Sequence, residues 1–324
     1  HSVECGPGVA FIGHMDTVFP AGTAGARPFR LDRAADRATG PGVTDMKAGI
    51  VQNMFVARAL KELGLMDVPM TLTFSPDEEL GSPSTTPILG EQLNGAQAVI
   101  CTEPGYPGGG VTLERKGSGH MFLEIMGISA HAGRCYQDGA SAILELAHKI
   151  LAFDAYVDLD HDTTVNTGLV NGGTSANSVA PNASARIHIT FKTLEAGRRL
   201  AEALRAETAK DHIPGTSSHI SGGVRLPPLV PTPGVMKLFS LAEQAGELIG
   251  YSVHSAPSKG TAESGYCSSV LGVPAICSMG PEGSNLHSAD EYMIPSTFVP
   301  RCKLAALTAI QAARAFAPAA KVSL

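Results

Sequence analysis

Four short apolar runs in this chain each end in a polar residue of a kind that binds metals, and that coincidence limits the fold more than any other feature. Val9–Gly13 leads into His14-Met15-Asp16. Met70, Leu72 and Phe74 alternate as in a strand, and Ser75-Pro76 then opens onto Asp77-Glu78-Glu79. Ala98–Thr102 leads into Glu103-Pro104-Gly105, and Val273–Ser278 leads into a glycine-rich loop that holds His287. In open α/β sheets, ligand sites form beyond the carboxyl ends of the strands. Four runs with such endings therefore predict an α/β catalytic domain with its site along one edge of the sheet.

The segments between these runs read as helices. From Asp45 to Leu63, the residues Ile50, Val51, Met54, Ala57, Leu60 and Leu63 recur at helical spacing, and Gly64 is suited to end the helix. Alanine-rich Arg301–Phe316 predicts a terminal helix. Strands alternating with helices imply a mixed central sheet flanked by helices.

The middle of the chain follows another pattern: strand (Met121–Ile128), helix (Gly139–Phe153), strand (Thr164–Val170), strand (Ala183–Phe191), helix (Leu194–Lys210) and strand (Ser217–Ser221). That β-α-β-β-α-β order is ferredoxin-like. The expected organisation is a catalytic domain in two parts, 1–116 and 225–324, around an inserted α+β lid or dimerisation domain, 117–224. A chain of 324 residues also exceeds what one core usually serves, about 250–300 residues.

The candidate metal ligands are His14, Asp45, Glu79, Glu103 and His287. Imidazole and carboxylate together suit Zn²⁺, with Co²⁺ or Mn²⁺ as substitutes. Five ligands exceed one tetrahedral site, so two ions sharing a carboxylate is the economical arrangement. Asp45 follows the Gly40-Pro41-Gly42 turn and is the best bridge. Asp16 is placed to accept the other N–H of His14. Glu78 and Glu79 are adjacent, so one binds metal while the other is free to act as a general base. Taken singly, each of these residues also reads as an ordinary loop acid or a structural histidine.

Composition removes several other functions. The balance of 24 Lys and Arg against 30 Asp and Glu gives a net charge of −6, with no basic run to bind nucleic acid or an anionic membrane. No apolar stretch nears the roughly 20 residues of a membrane span. The six cysteines are scattered, which predicts free thiols and a cytoplasmic setting, with the periplasm left open.

Several motifs occur in order: Gly13-His14-Met15-Asp16-Thr17-Val18, Gly40-Pro41-Gly42-Val43-Thr44-Asp45-Met46-Lys47, Asp77-Glu78-Glu79 with Gly81-Ser82, and Glu103-Pro104. Ser129-Ala130-His131-Ala132-Gly133, Asn177-Ser178-Val179-Ala180-Pro181 and Leu286-His287-Ser288-Ala289-Asp290-Glu291-Tyr292 follow. Together they resemble the zinc-dependent exopeptidase and deacylase family of glutamate carboxypeptidase, acetylornithine deacetylase and succinyl-diaminopimelate desuccinylase. Arg27-Pro28-Phe29-Arg30 and Glu103-Pro104 place the likeness nearest the carboxypeptidase G type.

The resemblance implies two zinc ions per subunit, one on His14 and Glu103, the other on Glu79 and His287, with Asp45 as the bridge. It implies Glu78 as general base, Asp16 orienting His14, and a cis peptide after Asp45. It further implies a homodimer formed through the inserted domain, with His131 reaching the partner's site to stabilise an oxyanion. Asn177 would bind substrate, and Arg225 with the Gly260-Thr261 backbone would hold its carboxylate. Surface, turn and hinge readings of His131, Asn177, Arg225, Gly260 and Thr261 stay open.

The chain departs from the family pattern at two substrate-recognition positions. Lys192 follows a strand that normally ends in Arg, and Ala262 or Glu263 replaces an Asp. Family members also carry several dozen residues before the first strand, so the natural N-terminus is expected upstream of His1. The implied activity is hydrolysis of an amide beside a free carboxylate, on a small peptide or an N-acyl amino acid, releasing a C-terminal residue. The alternatives are an N-acyl-amino-acid deacylase and a non-catalytic, metal-stabilised binding module.

Overall fold

A computed structural model describes residues 8–65, 68–258 and 260–317. Contacts divide the chain into two compact units, 1–115 with 229–324, and 116–228.

The sheet at the centre of the first unit runs Ala275–Ile276, Ala98–Cys101, Val9–His14, Met70–Ser75, each strand parallel to its neighbour. Val9 pairs with Met70 and Ala98, and the register carries His14 opposite Ser75. Val9–His14 and Ala98–Cys101 are buried along their whole length. Parallel strands covered on both faces need continuous apolar sequence, which is what those runs supply. The helices Ala48–Leu63, Pro233–Ile249 and Phe298–Ala315 contribute fully or almost fully buried residues to this core, among them Leu60, Leu238, Ala242, Leu304 and Ala309. Gly64 ends the first of these helices at φ 61°, a left-handed backbone that glycine adopts at little cost. Four short strands of this unit form a separate antiparallel sheet, Gly283–Ser284, Tyr292–Met293, Arg37–Thr39 and Arg30–Asp32.

Two elements differ from the periodicity reading. The helix expected from Asp45 begins at Ala48, because Asp45 and Met46 are non-helical and their peptide bond is cis. The last strand of the sheet is only Ala275–Ile276 within the expected Val273–Ser278.

The second unit contains strand Gly117–Met126, helix Ala142–Asp154, strands Thr164–Gly172 and Asn182–Phe191, helix Leu194–Thr208 and strand Ser217–Leu226. Spatial order is 217–226, 117–126, 182–191, 164–172, all antiparallel. Met121, Leu123 and Ile125 alternate with exposed His120, Phe122 and Glu124, so one face packs on the helices through Leu146, Phe153 and Leu204. Ser141 and Thr193 cap the two helices by accepting from Leu144 and Ala196 N–H. The final strand runs past the expected Ser221 to Leu226, carrying Arg225 into this unit's sheet.

Candidate metal centre

The carboxyl ends of the parallel strands bring the candidate ligands together in the first unit. His14 ends its strand with the ring almost wholly buried. Glu78 and Glu79 sit on a 3₁₀ turn beyond Met70–Ser75, and Glu103 lies two residues past Ala98–Cys101. His287 comes from a loop, at φ 61°.

Ligand atoms of His14, Asp45 and Glu103 lie within 4.8 Å of one another, as do those of Asp45, Glu79 and His287. The two groups share Asp45. His14 Nε2 is 3.1 Å from Asp45 Oδ1 and 3.4 Å from Glu103 Oε1. His287 Nε2 is 3.2 Å from Asp45 Oδ2 and 3.4 Å from Glu79 Oε1. Ligand atoms about 2.0–2.1 Å from one tetrahedral ion stand roughly 3.3–3.4 Å apart, so both sets have the spacing of a coordination sphere.

Two local observations fit a cation between them. His14 Nδ1 lies 3.1 Å from the Asp16 carbonyl, an acceptor only, so this nitrogen donates. In a neutral ring Nε2 then turns its lone pair toward two carboxylates, an arrangement that needs a positive charge in between. Glu79 Oε1 is buried with no hydrogen-bond partner, the condition of an oxygen kept for an ion.

The protonation tendencies have the same cause. Burial opposes the charge on His14, yet its contacts with Asp16, Asp45 and Glu103 outweigh that and raise its pKa strongly. The His287 ring is raised to about 9, chiefly by Asp45. Burial pushes Glu79 up to about 7, helped by the charge on Asp45. Glu78 is raised well above the carboxylate range by burial and then by Glu103. Asp45 is held low, because the two imidazoles outweigh its burial. Five acids around two histidines form a pocket that draws protons or metal ions.

The loops are fixed from behind. Asp16 accepts from the backbone N–H of Glu78 at 3.2 Å and of Glu79 at 3.0 Å, while its own carboxylate lies 3.4 Å from His14 Nδ1. Sequence reading gave Glu291 no role. Its buried carboxylate accepts from the N–H groups of Gly42 and Thr44 at 2.8 Å and of Asp45 at 3.0 Å, clamping the bridging loop. Gly42 sits at φ 69°, and a Cβ there would lie 2.3 Å from Thr17 Cγ2, so this turn is confined to glycine. Glu263 was also missed as a site residue. It is buried, raised to about 7 by that burial, and accepts from Ser82 Oγ at 2.8 Å beside the Glu78-Glu79 turn. A lone acid between Asp290 and Tyr292 carries no periodic signal, so only its place in the quoted motif marks Glu291.

Of the remaining candidates, Gly260 and Thr261 belong to the first unit and His131, Asn177 and Arg225 to the second. Gly260 in the first unit accepts from Arg115 Nη1 at 3.4 Å through its carbonyl, with Thr261 beside it. His131 and Asn177 are neighbours in the second unit: Ala132 N–H donates to the Asn177 carbonyl, and His131 bridges to Ser178. Arg225 lines a cavity of about 390 Å³ in that unit together with Arg198 and Arg205.

The model of the family described as peptidase family M20/M25/M40 matches residues 10–311. Carboxypeptidase G2 of Pseudomonas sp. (strain RS-16) is 25% identical over 302 residues, covering 91% of this chain and 71% of the relative. The M20 family metallo-carboxypeptidase Sso-CP2 from Sulfolobus solfataricus superposes with a TM-score of 0.73 at 17% identity, over 97% of this chain and 87% of the other. Bacillus subtilis YxeP, described as a dinuclear metal-binding peptidase from the M20 family, gives 0.65 at 16%, over 96% and 82%. At such identities the solved structures establish a shared fold.

Proposed function

Since the chain belongs to peptidase family M20/M25/M40 and is a metallopeptidase-type hydrolase, we propose that it is a two-metal carboxypeptidase. It would cleave an amide beside a free carboxylate and release the C-terminal residue. The observation that carries the reading is the pair of three-residue ligand sets meeting at Asp45. We assign His14 and Glu103 to one ion, Glu79 and His287 to the other, and Asp45 to both, with zinc as the metal. Bound there, two divalent ions supply a polarised carbonyl and a water of lowered pKa.

Every other step belongs to side chains. Glu78 is buried with a raised pKa, so it takes a proton from the attacking water and returns it to the leaving nitrogen. Asp16 holds the Glu78-Glu79 turn by its two backbone N–H groups and fixes the tautomer of His14. Gly260, Thr261 and Arg225 are assigned to the substrate carboxylate and Asn177 to the substrate. His131 is assigned to the oxyanion of a partner subunit in a homodimer built through residues 117–224. No helix among the described residues is long and apolar enough to cross a membrane, and the substrate is read as a small peptide or N-acyl amino acid.

The test is a zinc-replete sample offered an N-acylated glutamate, a peptide ending in glutamate and an acetylated basic amino acid. Release of glutamate from the first two supports the proposal. Turnover of the acetylated basic amino acid alone would establish a deacylase instead, and inertness to all three would refute catalysis. Sedimentation showing a monomer under assay conditions would remove the role of His131.

A further inference from the structure

A second polar cavity in the first unit, of about 600 Å³, is lined by Arg27, Arg30, Arg37, Thr39, Asn285 and Asp290 among others. Three arginines and one aspartate line it, an excess of two positive charges. Among the described residues none of the three arginines enters an ion pair. The acids of the same hairpin are engaged elsewhere: Asp32 accepts from the N–H groups of Ala34 and Ala35, and Asp36 from the N–H and hydroxyl of Ser296.

The arginines are held ready rather than left loose. Arg37 Cζ lies 3.7 Å from the centroid of the Tyr292 ring, and Arg27 Cζ lies 4.6 Å from that of Phe19. For exposed Arg37, packing on the aromatic face steadies the guanidinium while leaving its N–H edge open to a ligand. Arg27 Nη1 donates to the Ser288 carbonyl at 3.2 Å, whereas its Nε and Nη2 are shielded from solvent without a hydrogen-bond partner. These Arg27 donors are closed to solvent, so the N–H edges open to the cavity are those of exposed Arg30 and Arg37, and two such cations side by side favour an acceptor that carries negative charge.

We propose that this cavity binds a doubly charged oxyanion, as inorganic phosphate or the terminal group of a phosphate monoester. Arg30 and Arg37 would grip it in the two-pronged geometry that guanidinium offers phosphate. Its occupant would also brace the 285–290 loop that carries His287, through the Arg27–Ser288 contact. The inference stands on the arginines alone, independently of the reading of the metal centre.

The test titrates the metal-loaded protein with inorganic phosphate and, in parallel, with phenyl phosphate, following heat by calorimetry. Wild type, the double variant Arg30→Gln/Arg37→Gln and the control Arg33→Gln are compared; Arg33 is exposed on the same hairpin but outside the cavity. The expected result is a saturable binding event weakened about tenfold or more in the double variant and unchanged in the control. Either ligand behaving so supports the site, and the tighter of the two identifies the source of the anion. Identical isotherms in wild type and double variant would overturn it, since phosphate would then bind at the metals or nowhere. Equal weakening in the control would also overturn it, by reducing the effect to general charge. Unchanged melting temperatures of the variants exclude misfolding as the cause.

Discussion

Replacing Glu291 by glutamine probes the support of the metal centre without touching a ligand. The wild-type carboxylate accepts three backbone N–H bonds, from Gly42 and Thr44 at 2.8 Å and Asp45 at 3.0 Å. Bonds to a charged acceptor contribute about 1.5–3 kcal/mol each, and neutral ones about half as much. Glutamine keeps one oxygen for Thr44 and Asp45 and turns an NH₂ group against the N–H of Gly42. One charged bond is lost and two become neutral, a cost of about 3–6 kcal/mol. At about 2–4 °C per kcal/mol for a domain of this size, Tm falls by about 6 °C at the least. Because the loop that moves carries Asp45, metal affinity falls about 10–100-fold, as for other groups that support a ligand. Calorimetry of the metal-free protein and chelator competition for zinc measure the two effects. A Glu291→Gln protein with wild-type Tm and metal affinity would refute the clamp.

Glu78→Gln should lower kcat about 10²–10⁴-fold with metal content unchanged; loss of metal in that variant would make Glu78 a ligand instead of a base. Asp16→Asn can accept only one of the two N–H groups from Glu78 and Glu79, and zinc binding should weaken about 10–100-fold in chelator competition. In the second unit, His120 is depressed by burial and then by Arg225, and His188 by burial and then by His120. A depressed folded pKa gives stability that is full above the ordinary histidine value of about 6.5 and is lost as pH falls through the folded pKa. His120→Gln/His188→Gln should therefore flatten the fall of Tm between pH 7 and pH 5, and an unaltered fall would count against the pair.

The parallel strands were legible because burial on both faces leaves an uninterrupted apolar run, as in Val9–Ile12, that ends where polar chemistry begins. The alternation of Ala183–Phe191 was legible because only one face of that sheet packs on helices. The start of the helix after Asp45 was not, since hydrophobic spacing does not register a cis peptide between Asp45 and Met46. Nor was the length of the final strand in residues 116–228. Gly222-Gly223 interrupts its pattern, yet pairing continues through both to Leu226 with a register shift after Val224. Five candidate ligands could be named because each follows an apolar strand or a glycine turn. The role of Glu291 could not, because its partners are backbone N–H groups about 250 positions away, and such groups leave no mark on side-chain sequence.

The central claim is that Asp45 joins two ion sites, and anomalous diffraction from crystals of zinc-loaded protein at the zinc edge tests it most directly. The account predicts two peaks, one beside His14 and Glu103 and one beside Glu79 and His287, about 3.5–4 Å apart with Asp45 between them. A single peak, or zinc bound away from Asp45, would contradict it.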